Sequence, residues 1–206
     1  VVRTGVYLQD EWRITDTLTS TLGVRYDYNN WIGNRLSPRG ALIWQATPKT
    51  SFKALYGRAH RSPNSFERDY GDGVSQISNP GLKGETIDAA ELAADYFPEP
   101  NLNLRASLYA WDVYNIIALG FNPFLEASQY QQTHDKVRAR GLELYFDKTW
   151  DWGARLRSSF GIQDTSQKGS QIPNSPQILG KLNVLVPIPL MTGLKAGYEL
   201  QYFGER

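Results

Sequence analysis

The sequence has no cysteine and no long apolar run. Without cysteine, disulfide frameworks, thiolate nucleophiles and cysteine-ligated zinc sites are excluded. No stretch approaches the roughly 18 consecutive apolar residues of a membrane helix. The amino-terminal residues also lack the basic start and apolar stretch of a signal peptide. If this chain crosses a membrane, it must therefore do so as a β-barrel.

An excess of charge of either sign is also missing. Lys and Arg number 22 and Asp and Glu 21, a formal net charge of +1, so the sequence offers no basic field for nucleic acid. Nucleophile-elbow, Walker, Rossmann and H-E-x-x-H motifs are absent, so neither catalytic residues nor enzyme activity are predicted. The two histidines, His60 and His134, lack a nearby cysteine or acidic triad. We interpret them as ordinary polar residues, and predict no metal site and no cofactor.

Aromatic residues and period-two alternation dominate what is present. The chain has 12 Tyr, 8 Phe and 6 Trp, many at the ends of alternating segments. Aromatic girdles are typical of transmembrane β-barrels, although soluble β-proteins can be as aromatic. The alternation is clearest in 101–111 and returns in 154–163 and 194–202. Each of these strands should present one apolar and one mostly polar side.

The pattern predicts ten strands, with boundaries uncertain by about two to four residues. The fifth is the least regular, because its alanine-rich sequence would also suit a helix. A strand is favoured there because Ala90, Leu92 and Ala94 alternate with Glu91 and Asp95. The ten predicted strands are 3–14, 18–28, 39–47, 50–60, 86–96, 101–116, 129–148, 153–164, 176–187 and 193–203.

The predicted connections alternate in length. The longer ones are 29–38, 61–85, 117–128 and 165–175, and those between them are short. Outer-membrane barrels have short periplasmic turns and longer extracellular loops. On that rule the first strand runs inward and the tenth outward, so both chain ends lie on the outer side. We therefore expect a piece of a larger barrel that lacks its beginning and its end.

Several stretches resemble the carboxy-terminal half of TonB-dependent receptor barrels. The segments 7–14 and 22–27 are similar to the paired patterns Y-x-Q-D-x-W and L-G-x-R-Y-D. Further stretches resemble, in the same order, S-P-R, Y-G-x-x-x-R-x-P, N-P-x-L-x-x-E and R-G-x-E. These begin at Ser37, Tyr56, Asn79 and Arg140. Each motif is weak alone, but their shared order makes the resemblance specific.

The resemblance implies an all-β fold: an antiparallel, up-and-down transmembrane β-barrel segment of about ten strands. It implies one partial barrel domain over 1–206, without the plug domain and the terminal strands of a 22-stranded transporter. The parent would lie in the bacterial outer membrane, in contact with its lipid. It would bind a scarce nutrient such as a ferric siderophore, haem or cobalamin, and import it with an amino-terminal plug and energy from TonB. The alternative is a soluble β-sandwich or small-barrel binding or structural module.

Candidate ligand contacts lie in the longest predicted loop, where aromatic and charged residues mix. These candidates are Arg61, Asn64, Phe66, Glu67, Arg68, Asp69 and Tyr70. A loop that only packs on its neighbours or on the plug is the alternative. Trp31, Phe121, Phe124 and Tyr130 could also contact ligand, although an interfacial girdle is the preferred interpretation for them. Trp12, Trp150 and Trp152 flank short turns and fit a periplasmic belt.

Charged residues on the polar strand faces are expected to line a wet lumen. These lumen candidates include Arg25, Asp27, Arg105, Glu143, Arg155 and Arg157. Gly141 is expected to permit a bulge or a close backbone approach. Asp10 falls on the apolar face of the first strand, which a local bulge would explain. The first and tenth strands should leave open edges, through which the fragment would oligomerise or close on itself.

Overall fold

The protein is described from a computed structural model, which covers residues 2–190 and 193–205. Its main feature is one antiparallel sheet with ten long strands, joined at one end by a smaller three-stranded sheet. In chain order the elements are β1 (Arg3–Arg13), β2 (Leu18–Asn29), β3 (Gly33–Thr47), β4 (Thr50–Arg61), α1 (Ser65–Asp69), β5 (Gln76–Ile77), β6 (Glu85–Glu99), β7 (Leu102–Tyr114), β8 (Ile117–Asn122), β9 (Ala127–Gln132), β10 (Val137–Thr149), β11 (Arg155–Gln167), β12 (Ser170–Gln171), β13 (Ile178–Pro187) and β14 (Lys195–Phe203).

The long strands form an up-and-down meander. Their order in the sheet is β1-β2-β3-β4-β6-β7-β10-β11-β13-β14, so each pairs with the next long strand along the chain. Within the described residues no ladder joins β1 to β14, and the sheet is open in this structure. The all-β antiparallel prediction is confirmed. None of the described helices is long and apolar enough to span a membrane.

Most of the strand assignments are confirmed, including the alanine-rich strand now seen as β6. Two expectations are wrong. The single strand at 129–148 is two elements, because β9 leaves the main sheet and β10 begins only at Val137. The expected loop 29–38 is instead the tip of a long hairpin, since β2 and β3 pair from Asn29 and Gly33 onward.

Each long strand separates apolar from polar side chains, as the period-two pattern predicts. The ladder registers place Leu22, Leu42, Leu92 and Leu108 on one face, which we call the apolar face. The opposite side is the polar face. Side chains on the apolar face stay accessible, with Leu92 59% exposed, because no second layer covers them. A soluble protein would bury such a surface, whereas a membrane barrel turns it toward lipid.

The connections differ at the two ends of the sheet. At one end β1-β2, β3-β4, β6-β7 and β10-β11 are joined by short turns, and register shifts near Thr47 and Glu99 mark two of these turns. At the other end the connections 62–84, 115–136 and 168–177 are long. Arg3 and Phe203 begin and end the strand path at this second end, as expected. By the barrel rule, the long-connection end is extracellular.

Candidate functional site

Two of the long connections, 62–84 and 115–136, fold together into one unit that we call the loop subdomain. It contains α1 and the three-stranded sheet β5-β9-β8, in which β5 runs parallel to β9. Hydrogen bonds from side chains to backbone carbonyls also join the two connections. Asn79 Nδ2 donates to the Tyr130 carbonyl at 2.9 Å, and Gln129 Nε2 donates to the Ser78 carbonyl at 3.0 Å. Two segments far apart in sequence are therefore fixed to each other above the sheet.

Arg61, the last residue of β4, ties the loop subdomain to the main sheet. Its Nε and Nη2 donate to the Glu85 carboxylate at 2.7 and 2.8 Å, and its Nη1 donates to both oxygens of Glu67 at 3.0 and 2.9 Å. Glu85 in turn accepts the backbone N–H of Ile117, where β8 begins, at 2.8 Å. One guanidinium thus positions the ends of β4 and β6, the helix and the β8-β9 hairpin.

The helix α1 is started by a capping box. Asn64 accepts the backbone N–H of Glu67 at 2.8 Å, and the Glu67 carboxylate accepts the backbone N–H of Asn64 at 2.9 Å. This reciprocal pair satisfies two of the N–H groups that a helix start leaves free. Glu67 therefore serves the cap and the Arg61 ion pair at once.

A second turn in the subdomain is fixed around Asp72. Its carboxylate accepts the Ser75 hydroxyl and the backbone N–H groups of Val74, Ser75 and Gln76. These contacts, the Ser75 hydroxyl first, hold the pKa of Asp72 well below its usual range. Asp72 therefore stays ionised, and keeps accepting these hydrogen bonds, over the physiological range of pH.

The helix presents aromatic rings beside this network. Phe66 stacks on Tyr70 with ring centroids 4.5 Å apart, and Tyr130 meets Phe66 edge-on at 6.1 Å. We call Phe66, Tyr70 and Tyr130 the aromatic shelf. Phe66 is 52% exposed and Tyr70 43%, so the shelf presents aromatic surface to solvent at the extracellular end of the sheet. Such a surface can stack against an aromatic or otherwise planar ligand.

The other ligand candidates divide between this shelf and the hairpin tip. Arg68 lies over the Trp31 ring with its guanidinium carbon 4.5 Å from the centroid, and its Nη1 contacts Asp69 at 2.6 Å. Phe121 and Phe124 lie on the β8-β9 hairpin, which also carries Tyr130 of the shelf, and Phe124 is 95% exposed. Trp31 is at a hairpin tip, and Phe121, Phe124 and Tyr130 are in the loop subdomain, so the choice between ligand contact and an interfacial girdle stays a prediction.

The lumen candidates all fall on the polar face. Toward the extracellular end of this face, Arg25 Nε and Nη2 donate to the Asp27 carboxylate at 2.7 Å each. The pair lies across Gly5 of β1, where a Cβ would stand 2.5 Å from the Asp27 carboxylate. Glycine at this position leaves the space that the ion pair fills.

Lower on the polar face, acidic side chains are enclosed by cations. Asp95 is only 1% exposed and contacts Arg105 Nε at 2.5 Å and Lys53 Nζ at 2.7 Å. Asp147 binds Arg155 at 2.6 Å and Arg157 at 3.6 Å. Buried carboxylates require such pairing. The partner Lys53 was not among the sequence-derived candidates.

Glu143, also on the polar face, lies beside a close approach at Gly141. The Tyr109 ring crosses Gly141, and its hydroxyl reaches Gln163 on β11 at 3.0 Å. The register of β10 is unbroken there, so Gly141 provides close approach and not a bulge.

Three remaining residues carry no ligand-binding geometry. His60 is satisfied by Thr86 Oγ1 at 2.9 Å and by the Leu36 carbonyl at 3.0 Å, which requires the proton on Nε2. His134 is exposed, and among the described residues no three His, Cys, Asp or Glu side chains group as a metal site would. Asp10 stays on the apolar face: the β1-β2 register is continuous, so the bulge suggested for it is wrong.

Sequence reasoning missed the helix and the second sheet. The helix had a local signal, because Asn64 and Glu67 have the spacing of a capping box. The parallel pairing of β5 with β9 had none, since strands of two and six residues are too short for a periodic pattern.

We compared the sequence with family models and with known proteins. Residues 2–198 match the family model "TonB dependent receptor-like, beta-barrel". The iron-regulated outer membrane virulence protein of Vibrio cholerae serotype O1 is 26% identical over 187 residues, which is 82% of this chain and 28% of that protein. The ferric enterobactin receptor of Pseudomonas aeruginosa is 26% identical over 138 residues, 60% of this chain and 18% of that receptor. The chain thus spans less than a third of the relatives it matches.

Solved structures share the fold. The siderophore receptor PirA from Acinetobacter baumannii superposes with a TM-score of 0.78 at 16% identity, over 98% of this chain and 34% of that one. A mutant ferric enterobactin receptor from Pseudomonas aeruginosa in complex with enterobactin gives 0.77 at 20% identity, over 98% and 32%. The meander, its two faces and the match along 2–198 agree: this chain belongs to the TonB-dependent receptor β-barrel family of the bacterial outer membrane.

Proposed function

We propose that the chain forms part of the wall and the extracellular loops of a receptor that binds a ferric siderophore and imports it with TonB-delivered energy. The receptors named above, an iron-regulated protein and a ferric enterobactin receptor, support an iron chelate as cargo. The family consists of receptors and transporters, so no enzyme activity is proposed. The alternative of a soluble β-module is not favoured by these comparisons.

The aromatic shelf is the observation that carries the proposal. Three rings are held at the extracellular end by Arg61 and the capping box, and Phe66 and Tyr70 stay partly exposed. A half-exposed aromatic surface suits a chelate with ring-bearing ligands, because such ligands can stack on the exposed rings. Haem and cobalamin also offer ring surfaces, and haem serves as the competing probe in the test.

The partners follow from the same assignment. Within the proposal, the plug of the parent receptor meets the polar face, where Arg25, Asp27, Arg105 and Asp147 lie. Outer-membrane lipid meets the apolar face, and TonB acts on the plug from the periplasm.

The test uses the intact receptor that contains this chain. Binding of ferric enterobactin, of a ferric hydroxamate without aromatic rings, and of haem is measured by fluorescence quenching in detergent. We expect the double substitution Phe66→Ala and Tyr70→Ala to weaken ferric enterobactin binding at least tenfold. Trp152→Ala, at the opposite end of the sheet, is the control and should change it less than twofold. Failure of every iron chelate to bind the unaltered receptor overturns the proposal, as does equal loss in both variants.

A further inference from the structure

The main sheet is not continuous over its full height, because β3 and β4 separate at their extracellular ends. The ladder between them runs from the short turn up to Arg39 and Gly57, and among the described residues no pair of this ladder lies beyond them. Above that point residues 33–38 pair with β2 and residues 58–61 pair with β6. We call the gap between 33–38 and 58–61 the seam.

Pro38 lies where this ladder stops. Successive residues of a strand direct their backbone groups to one neighbouring strand and then to the other. In β3 the N–H of Gln45 donates to the Thr17 carbonyl on the β2 side, so the even-numbered residues between 34 and 44 face β4. Pro38 is one of these residues and has no N–H. The next ladder hydrogen bond toward β4 is therefore missing, and the two strands separate.

The His60 side chain fills the seam. Its Nε2 donates to the Leu36 carbonyl at 3.0 Å, and its Nδ1 accepts from Thr86 Oγ1 at 2.9 Å. If the ladder continued, Leu36 would be the partner of His60, and the backbone N–H of His60 would donate to that carbonyl. An imidazole N–H thus replaces a backbone N–H, and the ring lies between the two strands.

The seam lies above the hydrocarbon layer. At its lower end Arg58 donates to the Asp88 carboxylate at 2.7 and 2.8 Å, on the same outer face that carries Leu92. Charges are costly in hydrocarbon, and unpaired backbone groups are not tolerated where a barrel faces lipid. The wall can therefore be divided here, because water reaches the backbone groups that the ladder leaves unpaired.

Side chains, and not a ladder, hold the upper part of the β2-β3 hairpin against the rest of the extracellular end. We call this part, residues 24–38, the flap. Besides the His60 contact, Asn29 Nδ2 donates to Ser62 Oγ at 3.2 Å, and the Arg68 guanidinium carbon lies 4.5 Å from the Trp31 ring centroid. A neutral hydrogen bond and an exposed cation–π contact are each weak in water. The closed position of the flap is therefore held by a few weak contacts.

A polar cleft with a volume of about 380 Å³ lies behind the flap. The flap lines it with Arg25, Asp27 and Arg35, and the other side of the seam lines it with His60 and Ser62. Separation of the flap from β4 would therefore connect this cleft with the external medium.

We propose that the wall opens along this seam. The flap moves away from β4 and from the loop subdomain, the ladder below Arg39 acts as the hinge, and His60 is the contact that keeps the flap closed. In the open state water replaces the protein partners of the Leu36 carbonyl and of the imidazole, an exchange that costs little free energy. The opening is a property of the wall and does not depend on which cargo the receptor binds.

The test measures the distance between flap and loop subdomain in the intact receptor in lipid nanodiscs, with any cysteine outside this chain replaced. Spin labels on Asn34→Cys and Phe124→Cys, both exposed, are read by double electron–electron resonance. His60→Phe keeps a ring but removes both hydrogen bonds. It should raise the population at long distance about fivefold, the effect of one lost hydrogen bond. His134→Phe alters the other, exposed histidine and should leave the distribution unchanged.

A second label pair separates flap motion from general loosening of the barrel. Trp12→Cys and Trp152→Cys lie on the two sides of the same strand pair, at the end where β3 and β4 form their ladder. Their distance should stay single and narrow in every variant. Equal broadening of both label pairs overturns the proposal, as does a single narrow flap distance in the unaltered receptor and in His60→Phe.

A variant with the opposite effect tests the cause of the seam. Pro38→Val with His60→Val supplies the missing N–H and removes the ring from between the strands, so it should abolish the population at long distance. Persistence of that population would overturn the role given to Pro38 and His60.

Access to the cleft is measured independently by thiol modification. Ser37→Cys lines the cleft, and a charged methanethiosulfonate reagent should modify it about fivefold faster in the His60→Phe background, in proportion to the open population. Ala41→Cys lies on the same face of β3 below the seam and should react at an unchanged rate. An equal change at both positions, or none at Ser37→Cys, overturns the proposal. Cargo binding is not a readout, so failure of the import proposal is a separate result.

Discussion

Arg61 shows how much of the candidate site depends on a single side chain. Its guanidinium is shared between Glu67 and Glu85, whose side chains are 12% and 16% exposed. Without Arg61, two mostly buried anions would face each other with no cation between them. The positions of α1 and of the start of β8 therefore depend on the Arg61 side chain.

Substitution Arg61→Ala should loosen the loop subdomain while leaving the main sheet folded. We expect the free energy of local unfolding to fall by about 1–2 kcal/mol. The loss is not larger because the Arg61 side chain is 45% exposed and solvent screens its ion pairs. Hydrogen exchange of the Ile117 amide, which donates to Glu85, measures it directly. Arg35→Ala is the matched control, since among the described residues Arg35 donates only to the adjacent Asn34 carbonyl. Unchanged protection at Ile117 would contradict the role given to Arg61.

Gly141→Ala should destabilise the sheet. An added Cβ would stand 2.6 Å from the Tyr109 ring and 2.7 Å from the Ile162 carbonyl, and backbone cannot move aside cheaply. We expect about 1–3 kcal/mol of destabilisation, the usual magnitude for overpacking. Gly57→Ala should stay within about 0.5 kcal/mol of the unaltered protein, because no atom of the described residues would lie within 4 Å of the added Cβ. Urea unfolding in lipid vesicles compares the two, and equal midpoints would refute the steric explanation.

At the scale of elements, the loop subdomain is held by the parallel pair β5-β9. Gln76 and Ser128 are partners in this ladder. Because the sequence has no cysteine, a pair introduced there meets no competing thiol. Gln76→Cys with Ser128→Cys should therefore cross-link readily on oxidation, seen as a shift on non-reducing gels.

The control pair places the second cysteine on β8, one strand further from β5 than β9. Phe121 is the partner of Ser128 on β8, so Gln76→Cys with Phe121→Cys spans two strand spacings, roughly 10 Å. That separation exceeds the roughly 7 Å that a disulfide tolerates between Cα atoms. Efficient cross-linking of this control pair would mean that β5 does not lie where the structure has it.

The main sheet could be predicted from sequence because its strands are long enough to show their period. Leu92 and Asp95 of β6 fall on opposite faces as the alternation requires, despite alanine-rich composition. The site could be predicted only in part. The mixture of aromatic and charged residues in 61–70 was enough to predict Arg61 and Phe66 as candidates. The pairing of β5 with β9 was not predictable, because it joins segments about fifty positions apart and depends on tertiary contacts that leave no local pattern.

At the scale of the whole molecule, the two faces of the sheet should respond oppositely to charge. Leu92→Arg puts a cation on the apolar face and should destabilise the receptor in a bilayer by about 2–4 kcal/mol near the midplane. Glu91→Arg, one residue away on the polar face, should have a much smaller effect. Unfolding in vesicles measures both. Similar losses for the two variants would argue against a lipid-facing apolar surface.

The sheet edges give a prediction for the isolated segment. In the described ladders β1 pairs only with β2, and β14 only with β13. Exposed strand edges template pairing with another chain. Residues 1–206 refolded alone in detergent should therefore form oligomers by light scattering, whereas the intact receptor should be monomeric. A stable monomer of the segment with both edges open would contradict this expectation.

The small sheet has a kinetic consequence. Its parallel ladder joins Gln76 to Ser128 across the β6-β7 hairpin, so the closing of this long loop must wait until the intervening strands are in place. We expect the wall to assemble hairpin by hairpin, and the loop subdomain to order last and to open first when the protein is warmed. The surface proposed to meet cargo would then be the part of the molecule with the least stability to lose.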